Sequence, residues 1–229
     1  SGYHTHLIEM TGQGCRDFEE HGGNWTELFK HLVGNDCNIT RIDVANDLID
    51  YKLFTIQDLL NKINKDEYKT PRFNKKRIIK SDKVNRTDTP GVSITFGSRK
   101  SEAVLQIYDK KAERKAKNYH VSCGSWIRFE LRFYQSKAKI FMCHLLQNGE
   151  DKLPELFSSV LADSISFLEP TIQPQNTIYL VNLSKSVWKN CEWWDEHLGN
   201  IEKLKIQRQS NLESTVTKQI EWLDTSVSK

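Results

Sequence analysis

The segment WIRFELRFY, residues 126–134, alternates apolar and polar side chains from Ile127 to Phe133. On a β-strand, side chains two positions apart lie on the same face. Phe129 would therefore lie on an apolar face and Glu130 on the opposite, polar one. The apolar set is Ile127, Phe129, Leu131 and Phe133, and the polar set is Arg128, Glu130 and Arg132. Such a strand predicts an antiparallel sheet with one face against a core and the other face polar.

Two further segments show the same alternation. The strand predicted over 39–47 places Asp43 on its polar face, and the strand predicted over 103–108 places Tyr108 on its polar face. Together with Glu130, three strands would carry these groups on one side of a sheet. The same pattern is also expected of a half-exposed sheet without a functional site, on which the charged residues form cross-strand ion pairs and the tyrosine only packs. The alternation alone therefore leaves the chemistry open.

The remaining sequence predicts helices and further strands around these three. Asn24 and Thr55 are typical helix N-caps, and each precedes residues with helical apolar spacing. The predicted helices span 25–32, 56–63, 136–146 and 153–168, and the other predicted strands span 4–10 and 91–97. Residues 11–14 are predicted to turn, and residues 66–89 to form a long surface loop or a loose hairpin. The predicted fold class is α+β, an antiparallel sheet with helices packed on one face and a polar catalytic face.

Two prolines mark a soft domain boundary near Thr171. We predict a catalytic domain over residues 1–170 and a C-terminal helical lobe over 171–229 packed on it, with one continuous domain as the alternative. No apolar run approaches the length of a membrane span and no signal peptide opens the chain, so a cytoplasmic protein without membrane contact is expected. The five cysteines follow neither zinc-site nor disulfide spacing and are expected to be reduced, mostly buried thiols.

Positive charge is concentrated in one part of the chain. Residues 69–117 hold 15 Lys and Arg against 5 Asp and Glu, although the net charge of the whole chain is only +3. Clustered cations attract the phosphates of nucleic acid, because binding releases the counterions around them. A basic, solvated face is the alternative.

Four short segments carry a resemblance to a known family: TRIDVAND (40–47), FGSRKS (96–101), IYDKKAERK (107–115) and RFEL (128–131). In their order and spacing they resemble the motifs of the replication-initiation-factor family. This family includes rolling-circle initiators of staphylococcal plasmids and the MobT relaxases of integrative conjugative elements. Two more segments, TGQGCR (11–16) and HLGNIEK (197–203), resemble the relaxase branch more closely. Those relaxases also carry a helix-turn-helix domain that this sequence lacks, so an excised catalytic domain is expected.

The resemblance implies metal-dependent nicking and joining of DNA. Tyr108 matches the family nucleophile, which attacks a phosphodiester, stays bonded to the 5′ phosphate and frees a 3′ hydroxyl. A divalent metal, Mg²⁺ or Mn²⁺, is also implied. Asp43 and Glu130 are the best candidate ligands, Glu113 is a third and Asp47 a weaker fourth.

Many nicking enzymes hold their metal with a strand that reads His, hydrophobic residue, His. Here the polar Thr5 separates His4 from His6 at the start of the chain, so this pair is the weaker candidate. The implied architecture is an HUH-like nicking enzyme without a clear HUH motif, in which carboxylates bind the metal.

Basic residues in and near the motifs are the predicted DNA contacts. They are Arg99, Lys100, Lys111, Arg114, Arg128, Lys75, Lys76 and Arg77, with Lys110 as a catalytic residue beside the scissile phosphate. The implied partners are an origin of transfer or a double-strand origin with its nicked strand, and a helicase or auxiliary proteins, bound by a monomer or a homodimer. A conjugative relaxase is favoured. A plasmid initiator with the same chemistry, a hydrolytic metal nuclease and a catalytically silent DNA-binding module are the alternatives.

Overall fold

A five-stranded antiparallel sheet forms the centre of the fold. The structure is a computed structural model that describes residues 6–81, 91–170 and 185–199. The main sheet has the strand order β1-β6-β5-β4-β3, and a small sheet has the order β2-β7-β8. The strands are β1 (Arg41–Ile49), β2 (Tyr68–Lys69), β3 (Lys76–Ser81), β4 (Gly91–Ser98), β5 (Ala103–Asp109), β6 (Trp126–Tyr134), β7 (Ser166–Glu169) and β8 (Lys189–Asn190). The WIRFELRFY segment is thus the whole of β6, between the strands that carry Asp43 and Tyr108.

Seven α-helices lie in the part of the chain that the structure describes. They are α1 (Gly12–Glu20), α2 (Trp25–Gly34), α3 (Ile56–Asn64), α4 (Lys110–Ala116), α5 (Gln135–Asn148), α6 (Leu153–Ser164) and α7 (Glu192–Leu198). The side chain of Asn24 accepts a hydrogen bond from the backbone of Glu27 at the start of α2. Thr55 and Asp58 form a complete capping box at the start of α3. Both predicted N-caps are confirmed.

The apolar face of the main sheet is buried beneath helices. Leu105, Ile107 and Phe129 are fully buried there. Helices α3, α5, α6 and α7 supply the covering side chains, and all of them belong to one hydrophobic cluster with the sheet. Phe141 of α5, for example, stacks on Phe133 of β6 with ring centroids 4.7 Å apart. The predicted fold class, an α+β sheet with helices on one face, is confirmed.

The N-terminal prediction is wrong. Residues 6–10 have no regular structure, and Leu7 and Ile8 are 84% and 89% exposed. Alternation over a few residues does not make a strand where no partner strand supplies hydrogen bonds. The predicted turn at 11–14 is instead the start of α1, which Thr11 caps by accepting a hydrogen bond from the backbone of Gly14.

Two other segments differ from their predictions. The surface loop or loose hairpin predicted over 66–89 contains β2 and β3, and β3 joins the main sheet by pairing Ile78 with Ile94. The adjacent Ile78 and Ile79 hide the alternation of this edge strand. The helix predicted over 153–168 ends at Ser164, and β7 follows, buried at three of its four residues. A short, fully buried apolar run does not separate helix from strand by periodicity.

The region that follows the predicted domain boundary contributes to the same core. Trp194 of α7 is fully buried against Phe54, Phe129 and Phe167. Residues 171–184 and 200–229 lie outside the described residues, so the division at Thr171 stays a prediction.

Two further expectations bear on the kind of protein. None of the five cysteines forms a disulfide, but only Cys143 and Cys191 are buried, so the prediction that most are buried is wrong. Within the described ranges, no helix is both long and apolar enough to cross a membrane.

Gly97, at the end of β4, holds a backbone conformation that other residues rarely adopt. Its φ is +88°, and a Cβ there would lie 2.6 Å from the carbonyl oxygen of Ala103 and 2.8 Å from the Phe73 ring. Only glycine fits this close approach of β4 to β5. The β4–β5 pairing that it permits sets Tyr108 opposite Ser93.

Candidate active site on the polar face of the sheet

The strand register brings the predicted polar groups onto one face in neighbouring rows. Tyr108 on β5 lies opposite Arg128 on β6, and Arg128 lies opposite Asp47 on β1. One row along, Glu130 lies opposite Gln106. Residues directly opposite each other in antiparallel strands share a face, so all five side chains project to the same side of the sheet.

Tyr108 is held by the carboxylate of Glu130. Its hydroxyl donates a hydrogen bond to Oε2 of Glu130 over 3.1 Å. Burial, and after it the negative charge of Glu130, raises the pKa of Tyr108 well above its ordinary value, whereas the nearby Arg128 acts in the opposite direction. The phenol is therefore protonated at neutral pH, and ionising it requires additional positive charge.

Arg132 connects the two carboxylates that were predicted as metal ligands. Its Nε donates to Oε1 of Glu130 over 2.5 Å and lies 3.7 Å from Oδ2 of Asp43. Its guanidinium also donates to Oε1 of Gln106 over 2.5 Å. Arg41 donates two hydrogen bonds to the carboxylate of Asp43. Glu130 is 9% exposed, so its pairing with Arg132 offsets the cost of burying its charge.

Asp47 belongs to a separate ion pair beside Tyr108. Arg128 and Trp126 both donate to Oδ1 of Asp47, each over 2.7 Å. Burial opposes ionisation of Asp47, but the hydrogen bonds from Arg128 and Trp126 prevail and lower its pKa. Asp47 therefore orients Arg128 next to the tyrosine, a role that its prediction as a weaker metal ligand did not include.

Helix α4 starts two residues after Tyr108 and carries the predicted residues Lys110 and Glu113. The ammonium group of Lys110 lies 5.6 Å from the centroid of the Tyr108 ring and forms an ion pair with Glu113. Glu113 also pairs with Lys117 and contributes negative charge that raises the Tyr108 pKa. Lys110 is thus close to the tyrosine, while Glu113 is engaged by two lysines.

The predicted DNA contacts do not share one surface. Arg99 and Lys100 lie in the turn between β4 and β5, at the opposite end of β5 from α4, which carries Lys111 and Arg114. On β3, Arg77 pairs with Thr95 and lies on the face of Tyr108. Its neighbour Lys76 points to the other face, over the Tyr68 ring. Lys75 is exposed just before β3.

Three residues of the polar face were not predicted as part of the site. Arg132 donates hydrogen bonds to Glu130 and to Gln106, and Gln106 in turn donates to the hydroxyl oxygen of Ser93 over 2.9 Å. The alternation places Arg132 and Gln106 on the polar face, which was the available signal. Their contacts depend on which strands are neighbours, and alternation does not provide that.

The polar face fits a divalent metal only in part. Among the described residues, no group of three or more His, Cys, Asp or Glu side chains surrounds a common position. Mg²⁺ in phosphoryl-transfer sites usually takes one or two carboxylates and completes its shell with water and substrate phosphate. Glu130 and Asp43 match that donor set, provided that Arg132 moves from between them. His4 lies outside the described residues, and His6 is exposed in the irregular segment before α1.

Three comparisons with known proteins found a matching family, a related sequence and a similar solved structure. Residues 37–229 match a family described as replication initiation factor. The chain is 31% identical over 208 residues to the putative DNA relaxase NicK of Bacillus subtilis strain 168, a match that covers 87% of this chain and 55% of that protein. The chain thus spans about half the length of this curated relative. The fold is similar to the solved structure of a rolling circle replication initiator protein from Geobacillus stearothermophilus, with a TM-score of 0.65, 30% identity and coverage of 87% of this chain and 70% of that one.

Proposed function

The chain belongs to the replication initiation factor family, and on that premise we propose that it nicks and rejoins single-stranded DNA at an origin, with Tyr108 as the covalent nucleophile. The observation that carries the proposal is the hydrogen bond from the Tyr108 hydroxyl to Glu130, beside Arg128, on the polar face of the sheet. A tyrosine that only packs has no need of a nearly buried carboxylate and an arginine at its hydroxyl end.

In the proposed reaction the phenol oxygen of Tyr108 attacks the phosphorus of the scissile phosphodiester. Glu130 accepts the phenol proton, because its Oε2 already receives that hydrogen bond. The bond from phosphorus to the 3′ oxygen breaks, and that oxygen takes a proton from solvent to become a 3′ hydroxyl. The 5′ phosphate remains on Tyr108 as an ester, so a 3′ hydroxyl can later attack it and rejoin the strand without ATP.

Positive charge supports ionisation of the buried phenol. The charge of Arg128 partly counteracts the rise in the pKa of Tyr108, and the ammonium group of Lys110 lies over the Tyr108 ring. The negative charge of an incoming phosphate opposes the ionisation of Tyr108 and so offsets part of the effect of these two cations. A divalent metal, Mg²⁺ or Mn²⁺, would supply the missing positive charge when bound. Glu130 and Asp43 would hold it, with Glu113 as a third candidate.

We favour a relaxase of a conjugative element, of the MobT type, over a plasmid initiator. TGQGCR and HLGNIEK support this choice, and the Bacillus subtilis relative is named as a putative relaxase. The similarity to a rolling circle initiator supports the alternative, whose chemistry at Tyr108 would be the same. DNA at an origin, and a helicase or auxiliary proteins, are the proposed partners.

Adduct formation tests the proposal. Single-stranded oligonucleotides that tile the DNA encoding and flanking the gene would be labelled at either end and incubated with protein and Mn²⁺. Because the protein keeps the 5′ phosphate, a 3′ label should move to the protein and survive denaturation, whereas a 5′ label should stay on a shortened, protein-free strand. Tyr108→Phe should eliminate the adduct, and the matched variant Tyr134→Phe should form it as wild type does. EDTA should prevent it.

Each alternative gives a different result. Cleavage without any label on the protein would identify a hydrolytic nuclease. Binding without cleavage of any tiled oligonucleotide would identify a silent DNA-binding module. An adduct that persists in Tyr108→Phe would show that another residue is the nucleophile.

A further inference from the structure

Helix α4 ends in a motif that fixes the position of two side chains. Asn118 takes a left-handed conformation with φ of +61°, and its N–H donates to the carbonyl oxygen of Lys115 over 3.0 Å. The N–H of Tyr119 donates to the carbonyl oxygen of Arg114 over 3.1 Å. This pair of bonds is a Schellman motif, which brings the residue after the left-handed position against the side chain of the last helical turn.

The two side chains that meet there are Tyr119 and Arg114. The guanidinium carbon of Arg114 lies 3.9 Å from the centroid of the Tyr119 ring. Nε of Arg114 is shielded from solvent and has no hydrogen-bond partner among the described residues, which indicates close stacking. Tyr119 is nevertheless 51% exposed. The arginine therefore covers one face of the ring and leaves the rest of the ring open to solvent.

This ring lies in a strongly basic segment next to the proposed nucleophile. Residues 110–120 hold five Lys and Arg against one Glu. Helix α4 begins directly after Tyr108 and Asp109, and its seven residues extend over roughly 10 Å. Lys111, on the same helix, donates to the carbonyl oxygen of Gly124 and ties the loop after Tyr119 to α4.

We propose that Tyr119, held by Arg114, stacks on an unpaired base of the substrate strand close to the nick. The inference rests on the proposed function and extends it with a base-binding position. An exposed aromatic ring surrounded by cations is the arrangement by which proteins bind single strands, because each base offers an aromatic face and each linkage a phosphate. Arg114 holds the ring in place before DNA arrives, which lowers the entropic cost of stacking.

A purely structural role for Tyr119 makes a different prediction. The same contact closes the helix end, and for that role any apolar side chain is sufficient. Tyr119→Leu keeps the apolar contact but removes the aromatic face, whereas Tyr119→Phe keeps both. The two interpretations therefore differ in the effect of Leu on DNA binding and agree on its small effect on folding.

The test measures the affinity of oligothymidylate for wild type, Tyr119→Leu and Tyr119→Phe by fluorescence anisotropy. Thymidylate suffices because stacking tolerates any base. We expect Leu to raise the Kd at least about fivefold and Phe to leave it nearly unchanged. A blunt duplex of the same length should bind the Leu variant and wild type equally, because its bases are already stacked. Equal binding of single strands by all three proteins would reduce Tyr119 to a helix-end contact.

A second measurement needs no loss of affinity. The fluorescence of 2-aminopurine, placed at successive positions of the oligonucleotide, is quenched when an aromatic ring stacks on it. Wild type and Tyr119→Phe should quench it at one or two positions. Tyr119→Leu should not quench it at those positions. Quenching identical in wild type and Leu would overturn the inference. Stacking at Tyr119 without any adduct at Tyr108 would keep the base-binding position and refute the nicking reaction instead.

Discussion

The two faces of the main sheet are held together by different kinds of interaction. On the buried face, apolar side chains pack against helices in one cluster that joins all the layers of the fold. On the polar face, charged and polar side chains meet in pairs across strands, as Arg128 meets Asp47 and Arg132 meets Gln106. Burial of apolar area stabilises the fold with little regard to direction, whereas the paired groups depend on the position of individual atoms.

This difference separates stability from chemistry within a single strand. Phe129 and Glu130 are neighbours in β6, yet the first is fully buried in the core and the second accepts the hydrogen bond of Tyr108. Changes at adjacent positions are therefore expected to act on different properties of the protein.

The largest expected effects come from this pair. Phe129→Ala should lower the free energy of unfolding by about 3–5 kcal/mol, because it leaves a cavity in the core. Glu130→Gln should change it by only about 1 kcal/mol but slow adduct formation at least about 100-fold, because the amide does not accept the phenol proton. Urea unfolding and single-turnover nicking would measure both quantities in both variants.

The distinction between the two faces would be wrong if the polar-face variant lost stability or the core variant lost activity. If Glu130→Gln unfolds as easily as Phe129→Ala, the polar face stabilises the fold as much as the core does. If the folded fraction of Phe129→Ala nicks slowly, the core also shapes the site. Binding of single-stranded DNA by Glu130→Gln should stay close to that of wild type.

A smaller effect is expected from His197 on the core side. This histidine packs among Phe54, Phe129 and Trp194 and is hydrogen-bonded to Tyr51, and burial lowers its pKa to about 4. Above pH 6.5 both the folded and the unfolded histidine are neutral. As the pH falls from 6.5 to about 4, only the unfolded chain gains the proton, so stability should fall by about 2–3 kcal/mol.

Comparison with His197→Phe isolates this contribution, because the phenylalanine keeps the ring contacts and does not titrate. The pH dependence of the unfolding free energy should be flatter in the variant over the same range. Parallel curves for the two proteins would show that His197 is accessible to protons in the folded state.

The smallest effect concerns the charges of β3, which the sheet divides between its faces. Arg77 lies on the polar face in line with Thr95, whereas Lys80 lies opposite Val92 on the other face. Arg77→Ala should reduce the slope of log affinity against log salt by about 0.7 for single-stranded DNA, the value for one phosphate contact. Lys80→Ala is the matched control and should leave the slope unchanged. Equal changes in both variants would mean that the basic segment acts without regard to face.

The faces of the strands were predictable because alternation is a local property. Asp43, Glu130 and Tyr108 lie on one face as predicted, since each assignment needs only the residues on either side. The order of the strands was not predictable, because pairing is decided by distant segments. The position of Arg132 between Glu130 and Asp43 follows from the β1–β6 register, so the sequence placed the two acids together and missed the arginine between them.

The segments that were wrongly predicted depend on tertiary contacts or on weak local signals. β3 is a strand because β4 lies beside it, and its own residues are polar or irregularly spaced. Helix α1 contains two glycines near its start and buries no residue, so its sequence favours a turn as much as a helix.

A substitution at Gly97 is expected to give a phenotype that a genetic screen can detect. A side chain at this position would strain the backbone and collide with the carbonyl oxygen of Ala103, although Gly97 contacts none of the groups at Tyr108. The defect would fall on assembly of the β4–β5 hairpin, and cooler growth would partly relieve it. In a screen for loss of DNA processing, such an allele would be temperature-sensitive, and it would change a residue that takes no part in the reaction.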